Sequence, residues 1–454
     1  MKDIRCERPP KSGIYGEYVQ FLYINFTFLI LLNSGWIKMR KFLDSLDVIK
    51  VTDEVSYKGS MTEIIVENDE RTILFENVEG VDTQVVAGIV STRELLATSI
   101  KATTAELSNR VGEAFTDPLP LTQVNNAPFL ENHIENPDIS KYVPIPEFFG
   151  GKRYLTASIV LSKDPVTGRR NASIHRMMYL GGNRFAIRPI PQRDLHNFYT
   201  TTLDTGVDYM DIVVVIGVHP AFELGAATSY PGLDELAFAS RLLGGSEEYV
   251  LDGFGVPLSA EIVMKCKMLR EEVEEGPFVD LTGTADKVRM QPVVEVTDLY
   301  FRNNPIFRTI LPGRKEHKML MGIPQEPRMK KQISNTLPTV KQVVMTEGGG
   351  SWLHAVVQIK KRTPGDGKNT ILAALAAHPS LKRVVVIDED VEPSDPVDVE
   401  WAIATRVQPD KDLVLIPGAK GSSLDPSAGE RSTTCKWGID ATKPLNTTKF
   451  DRVI

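Results

Sequence analysis

Cysteine is scarce: the 454 residues contain three, Cys6, Cys266 and Cys435, all far apart. That excludes a disulfide-stapled scaffold and every Cys-rich zinc module, and it fits a reducing, cytoplasmic setting. An excess of one charge is also lacking. The 52 basic and 59 acidic side chains leave a formal charge of −7, so nothing global draws the chain to nucleic acid or to an anionic membrane surface. The 33 glycines and 29 prolines are far fewer than low-complexity chains carry, which excludes wholesale disorder. Long apolar runs are missing too. The run from Phe21 to Leu32 (FLYINFTFLILL) falls short of the roughly 20 residues that a membrane-spanning helix needs. Lys2, Arg5, Arg8 and Lys11 precede it as in a signal peptide, but Pro9-Pro10, the acids Asp3, Glu7 and Glu17, and the absence of an Ala-x-Ala site do not fit one. The expectation is a native start at Met39, with residues 1–38 an upstream extension and no stable membrane insertion.

Several sequence motifs are absent as well. No G-x-G-x-x-G opens a helix after a strand, no His pair has zincin spacing, and there is no G-x-S-x-G. Gly365-Asp-Gly367-Lys368-Asn369 has Asn where a P-loop carries Ser or Thr, and it lacks the first glycine.

What is present divides into three textures, within the roughly two to four domains expected at this length. Residues 39–130 alternate short helices with apolar strands such as ILFENV (73–78) and QVVAGIV (84–90), an N-terminal α/β domain. Residues 131–307 are β-rich. Candidate strands are LTASIVL (155–161), ASIHRMMYL (172–180), RFAIRP (184–189), MDIVVVIGVHP (210–220) and PVVEVTDLYFR (292–302). Two stretches here read as helices, 234–244 and 259–275, the second opened by a capping-box-like Ser259. Residues 308–454 return to α/β: strands at 352–360, 383–391 and 412–418, helices at 368–379 and 398–407. The fold class is therefore α/β (α+β, multidomain). The Asp388-Glu389-Asp390 cluster at a strand end reads as a solvated loop, with metal binding as the alternative.

Three segments of the middle region carry chemistry. In Asn171-Ala-Ser173-Ile174-His175-Arg176, strand alternation places Asn171, Ser173 and His175 on one face, with Arg176 on the other unless a bulge intervenes. In Glu275-Gly-Pro-Phe-Val-Asp280 a Gly-Pro turn can bring two acids to one cavity, where a nearby Arg can hold them in different protonation states. Glu247-Glu248 and the segment 255–263 add hard oxygen ligands.

The ordered set N-x-S-I-x-R (171–176), V-P-x-S-A-E-I-V (256–263), E-G-P-F-x-D (275–280), W-L-H-A-V-V-x-I-K-K (352–361), D-E-D (388–390), D-V-x-W-A-I-x-T-R (398–406) and K-x-G-x-D-A-T (436–442) resembles the UbiD family, the decarboxylases dependent on prenylated FMN, across essentially all of 39–454. The resemblance implies an N-terminal α/β domain, a central split β-barrel that binds the flavin, and a C-terminal α/β domain used in homo-oligomerisation. It implies Arg176, Glu275 and Asp280 as the catalytic trio. It also implies a divalent metal, manganese or magnesium, that bridges to the flavin phosphate, with Asn171 and Glu248 as ligands. The family's metal-binding His has no counterpart here. Asp194 stands at or near its place, with Gln192 and His196 as alternatives, and an Asp oxygen suits Mn²⁺ or Mg²⁺ equally well. Ser173, Ile174, His175, Arg176, Arg193 and Lys436 are the remaining expected flavin contacts.

The resemblance further implies a non-oxidative carboxy-lyase supplied with its cofactor by a flavin prenyltransferase. The short chain is most similar to the archaeal branch that makes isopentenyl phosphate from trans-anhydromevalonate 5-phosphate, and Lys152, Arg153, Arg169, Arg170, Arg188 and Arg193 provide basic partners for a phosphorylated unsaturated acid. A decarboxylase of aromatic or hydroxybenzoate-type acids is the alternative. A non-catalytic flavin-binding partner protein is a further one, disfavoured by the intact trio.

Overall fold

In this computed structural model the chain is described over residues 39–453, so the expectation for residues 1–38 lies outside the described residues. Among those residues no helix is long and apolar enough to cross a membrane.

The centre of the molecule is one nine-stranded sheet. Along its path the strands run Tyr154–Leu155, Met177–Gly181, Arg184–Ile187, Arg289–Phe301, Ile262–Glu275, Tyr209–Ile216, Ile159–Lys163 and Arg170–Ile174, with Asn132–Glu135 paired to Arg289–Phe301 off the path. The last strand of that path and its second strand are joined by only two residues, His175 and Arg176. At roughly 3.3–3.6 Å per residue, such a link bridges the two ends only if the sheet curls until they meet. The result is a split barrel. Alternation along each strand then feeds two cores. Ile212, Val214 and Ile216 pack with Val160, Phe185, Met264 and Val294. Val213 and Val215 pack with Phe222, Leu236 and Phe238 of the helices Pro220–Ala227 and Glu235–Leu243.

Three readings are corrected. Residues 259–275 are not a helix: Ile262–Glu275 is the long central strand, paired with Tyr209–Ile216 on one side and Arg289–Phe301 on the other. Its first half has period two, with Ile262, Met264, Cys266 and Met268 in one core. The charged tail LREEVEE (269–275), helical in propensity, is carried along by pairing. Ser259 caps no helix; its hydroxyl accepts from the His219 N–H at 3.4 Å. The run 172–180 is likewise two strands, Arg170–Ile174 and Met177–Gly181, broken at His175-Arg176.

A four-stranded sheet, Val48–Val51, Thr72–Phe75, Gln84–Ala87 and Ile306–Arg308, adjoins the barrel, and its last strand is supplied from beyond the barrel strands. The C-terminal part is a five-stranded sheet in the order Val340–Met345, His354–Ile359, Arg383–Asp388, Thr433–Asp440, Leu413–Lys420. Helices Gln325–Ser334 and Asp366–Ala377 cover one face and Pro396–Arg406 the other. Asp388 and Asp390 are not a solvated loop, because both pair with the buried Arg406, at 3.1 and 2.7 Å.

Candidate active site

Glu275 ends the long central strand and is fully buried. Arg176, in the two-residue link that closes the barrel, grips it with both arms: Nε donates to Oε1 at 2.9 Å and Nη2 to Oε2 at 2.8 Å. The Tyr154 hydroxyl donates to Oε1 at 3.1 Å. Burial and the adjacent Glu275 charge push the Tyr154 pKa up, so the phenol stays a donor. The Arg176 guanidinium lies 4.4 Å over the Phe278 ring, which meets the Tyr154 ring edge-on at 4.9 Å. A bidentate ion pair with a cation–π floor fixes the plane of the guanidinium.

The chain then folds back on itself. Phe278–Val279 pairs with Ala285–Asp286, which sets Asp286 opposite Phe278. Asp286 Oδ2 lies 3.2 Å from Arg176 Nη2. Burial alone raises the Asp286 carboxyl, but hydrogen bonds from Arg289 and the Lys287 N–H, with the charges of Arg176 and Arg188, hold it at about 2. Asp280 sits at the hairpin tip under looser control. Its Oδ2 is 3.9 Å from Arg176 Nη1, and its Oδ1 accepts the Leu281 N–H at 2.7 Å. His317 faces Asp280 electrostatically. Its Nδ1 accepts the Gly313 N–H at 3.1 Å, and burial holds its pKa below the usual imidazole value against the pull of Asp280.

The expected face of Asn171, Ser173 and His175 is a single hydrogen-bonded chain. Burial pushes His175 down to about 4, so the ring is neutral. Its Nδ1 lies 2.9 Å from the Arg188 carbonyl and must carry the proton, so Nε2 accepts from Ser173 Oγ at 2.9 Å. Ser173 Oγ in turn accepts from Asn171 Nδ2 at 3.0 Å. The chain thereby orients the amide with its donor side occupied and its Oδ1 free to bind a cation. Ile174 packs against the helix-side core.

Asn171 and Glu248 line one cavity of about 260 Å³, together with Arg170, Asp234 and Glu235. Arg170 bridges Asp234 at 2.8 Å and Glu248 at 2.7 Å. Glu235 was not anticipated from sequence. It accepts the Ala172 N–H at 3.1 Å and is almost fully buried. Burial, reinforced by the charges of Asp234 and Asp194 and opposed by two backbone N–H groups, pushes it up to about 8. A carboxylate under that strain beside an amide oxygen is a donor set for a hard divalent cation. Asp194 lies outside the cavity wall, paired with Arg169 at 3.0 Å at the start of the helix Asp194–Asp204, yet close enough to act on Glu235. Among the described residues no three His, Cys, Asp or Glu side chains form a ready metal cluster, so an ion here needs Asn171 Oδ1 as well. Arg193 precedes that helix and donates to Ser229 Oγ. Lys436 is buried and donates to the Pro379 carbonyl at 2.6 Å.

Tyr154, Glu235, Asp286, Arg289 and His317 were missed, whereas Arg188 was among the basic partners expected. Glu235 had one signal, Asp-Glu ahead of an apolar helical run, but that pattern equally marks an N-cap, which Asp234 is.

Models of three UbiD domains match the chain in order. The 3-octaprenyl-4-hydroxybenzoate carboxy-lyase N-terminal domain covers residues 44–115, the Rift-related domain 122–315 and the C-terminal domain 318–441. The chain belongs to the UbiD family. It is 43% identical over 426 residues to the anhydromevalonate phosphate decarboxylase of Methanothermobacter thermautotrophicus, covering 91% of this chain and 99% of that one. To the protein of the same name from Methanocaldococcus jannaschii it is 44% identical over 414 residues, covering 90% and 96%. Among solved structures, the UbiD-class enzyme HmfF from Pelotomaculum thermopropionicum in complex with FMN superimposes with a TM-score of 0.88 at 35% identity, covering 92% of this chain and 97% of that one. An evolved dimeric form of HmfF in complex with prFMN gives 0.85 at 34%, with the same coverage.

Proposed function

We propose that this UbiD-family chain is a prenylated-FMN-dependent decarboxylase that converts trans-anhydromevalonate 5-phosphate to isopentenyl phosphate and CO2 in a modified mevalonate pathway. The observation that carries the reaction class is the Arg176 clamp: one edge locked on Glu275, the other facing the loosely held Asp280. The substrate rests on the archaeal relatives, which bear the anhydromevalonate phosphate decarboxylase name at 38–44% identity.

Loss of CO2 leaves an electron pair on an unsaturated carbon, and no side chain delocalises it. Bound prenylated FMN supplies that electron sink. The protein's part is positioning and proton transfer. Arg176 Nη1 pairs with the substrate carboxylate, while Glu275, Tyr154 and Phe278 keep the guanidinium from turning. Asp280 delivers a proton to the carbon that has lost CO2 and is recharged from solvent. Arg188 and Arg289 add positive charge beside Arg176 for an anionic substrate. Asn171, Glu248 and Asp194, with Glu235 added, are the residues for a manganese or magnesium ion, and Ser173, Ile174, His175, Arg193 and Lys436 are flavin contacts. A flavin prenyltransferase as cofactor supplier, a homo-oligomeric state, a cytoplasmic location and domain boundaries near residues 130 and 307 complete the reading.

The description of the matching domains, which names a hydroxybenzoate carboxy-lyase, favours an aromatic acid as the second reading. The test is direct. Enzyme loaded by co-expression with a flavin prenyltransferase is incubated with each acid, and isopentenyl phosphate and CO2 are quantified. Isopentenyl phosphate is the expected product. Its absence, with turnover of a hydroxybenzoate, selects the alternative.

A further inference from the structure

The run Gly348-Gly349-Gly350-Ser351 joins the strands Val340–Met345 and His354–Ile359 of the C-terminal sheet. It has no part in the chemistry derived above, yet it ends against the turn that carries Asp280. The run is tightly wound. The Gly349 and Ser351 N–H groups both donate to the Thr346 carbonyl at 3.0 Å, and the Gly350 N–H donates to the Glu347 carbonyl at 2.9 Å. Gly350 has φ +68° and Ser351 φ +50°, so two successive residues lie in the left-handed region. A side chain such as that of Ser351 disfavours that region, and such a backbone persists only where its surroundings hold it. Two anchors lie at its base. Buried Glu326 accepts the Met345 N–H at 3.1 Å and is gripped by both arms of Arg93, at 2.8 and 2.7 Å, from the helix Arg93–Ser99. Lys315 lies 3.8 Å from Glu347 and also pairs with Glu70.

What this turn meets is the residue after Asp280. A Cβ added to Gly350 would stand 3.2 Å from the Leu281 carbonyl oxygen. Leu281 is buried, and its N–H holds Asp280 Oδ1 at 2.7 Å while Oδ2 faces Arg176 at 3.9 Å. On the other side, Gly313 lies against the Asp280 carbonyl oxygen. The two peptide groups that flank Leu281 are therefore each blocked at the oxygen, by segments from different parts of the chain. The hairpin has bonds of its own: the Gly283 N–H donates to the Asp280 carbonyl at 2.8 Å, and the Asp280 N–H to the Thr284 carbonyl at 3.1 Å. These set the shape of the turn but not its distance from Arg176, and the ladder behind it, Phe278–Val279 with Ala285–Asp286, is only two residues long. A proton donor has to stay within hydrogen-bond reach of the atom it serves. A shift of about 1 Å can lower a rate on the order of 100-fold, so a short hairpin that carries such a donor needs backing from outside.

We propose that the turn 346–351 of the C-terminal sheet is the backstop of Asp280, and that Gly350 is a positioning residue that acts through Leu281. The consequence for catalysis rests on the general-acid reading of Asp280 above; the backstop itself does not.

The test compares three variants of the full chain, loaded by co-expression with a flavin prenyltransferase, with thermal melts and flavin content recorded for each. Gly350→Ala sets a methyl against the Leu281 carbonyl on a left-handed backbone. Gly350→Asn sets a Cβ there too, but Asn tolerates that backbone. Gly348→Ala is the control in the same turn, because its Cβ meets nothing within 4 Å. Amide hydrogen exchange over residues 278–286, followed by mass spectrometry, should quicken in both Gly350 variants and stay at the wild-type rate in Gly348→Ala. With the acid that the wild type decarboxylates, kcat of the Gly350 variants should fall on the order of 10- to 100-fold with KM unchanged. The solvent deuterium isotope effect on kcat should rise, since proton delivery becomes the slow step; a merely destabilised turn would lower the melting temperature and leave that isotope effect as it was. Folded Gly350 variants with wild-type exchange over 278–286, or with wild-type kcat, overturn the proposal. A wild type that decarboxylates neither the phosphorylated acid nor a hydroxybenzoate refutes the functional reading instead, and the exchange measurement then decides the backstop alone.

Discussion

Arg176 uses its two edges differently. The Nε–Nη2 edge is engaged by Glu275, and the Nη1 corner faces Asp280 at 3.9 Å. Lysine at 176 keeps the charge but loses the fork. With a charged hydrogen bond contributing about 2–3 kcal/mol, kcat/KM should fall roughly 30- to 150-fold, with the flavin still bound. Asp280→Asn keeps the shape and removes the proton. Turnover should vanish while the purified variant holds as much flavin as the wild type; wild-type rates would refute the general-acid role. At the cavity, Asn171→Ala and Glu235→Ala should each lose the divalent metal and flavin of the proposed site together, read by elemental analysis and absorbance. Glu248, neutralised by Arg170, should matter less. A variant set in which only Glu248→Ala loses metal would reverse that order.

At the scale of elements, the hairpin that carries Phe278, Asp280 and Asp286 is braced from outside. Gly313 has φ +72°, and a Cβ there would stand 2.9 Å from the Asp280 carbonyl oxygen and 3.0 Å from Val279 Cγ1. Gly313→Ala should cost about 1 kcal/mol of stability from the left-handed backbone alone. Because the crowded atoms belong to the Asp280 turn, kcat should fall with it. A thermal melt and a rate on the same sample check both. Lost stability with a wild-type kcat would separate the two effects.

Across the whole molecule, one buried cluster ties three layers together. Arg308, fully buried on the strand Ile306–Arg308, pairs with Glu223 at 3.0 Å and Glu316 at 2.6 Å, and Glu316 accepts the N–H groups of Gly88 and Val90. Two carboxylates share one guanidinium. Burial, with the Glu316 charge and against Arg308, raises Glu223 to about 7. The native state therefore holds a proton that the unfolded chain releases near 4.5. Native protein binds more protons between those values, so stability should fall as pH rises from about 4.5 to about 7. Glu223→Gln should flatten that part of the melting curve against pH; an unchanged slope would assign it elsewhere. Arg308→Met leaves two buried acids unpaired and should cost about 3–5 kcal/mol, measured by denaturant unfolding.

Much of this was legible in the chain itself. Scarce cysteine and balanced charge bounded the class, Val- and Ile-rich runs located most strands, and the spacings N-x-S-I-x-R and E-G-P-F-x-D marked Arg176, Glu275 and Asp280, because local order along a chain survives folding. Period two set Asn171, Ser173 and His175 on one face, where they form a single hydrogen-bonded chain. What only the tertiary structure decided depends on which segments meet. Ile262–Glu275 is a strand because two neighbours pair with it, against the helical propensity of its charged end. Glu235, Asp286 and His317 join the site through contacts between segments far apart in sequence, as does the turn around Gly350. No single-chain pattern carries such contacts, since burial and charge pairing are properties of the folded surface and not of the residues taken one at a time.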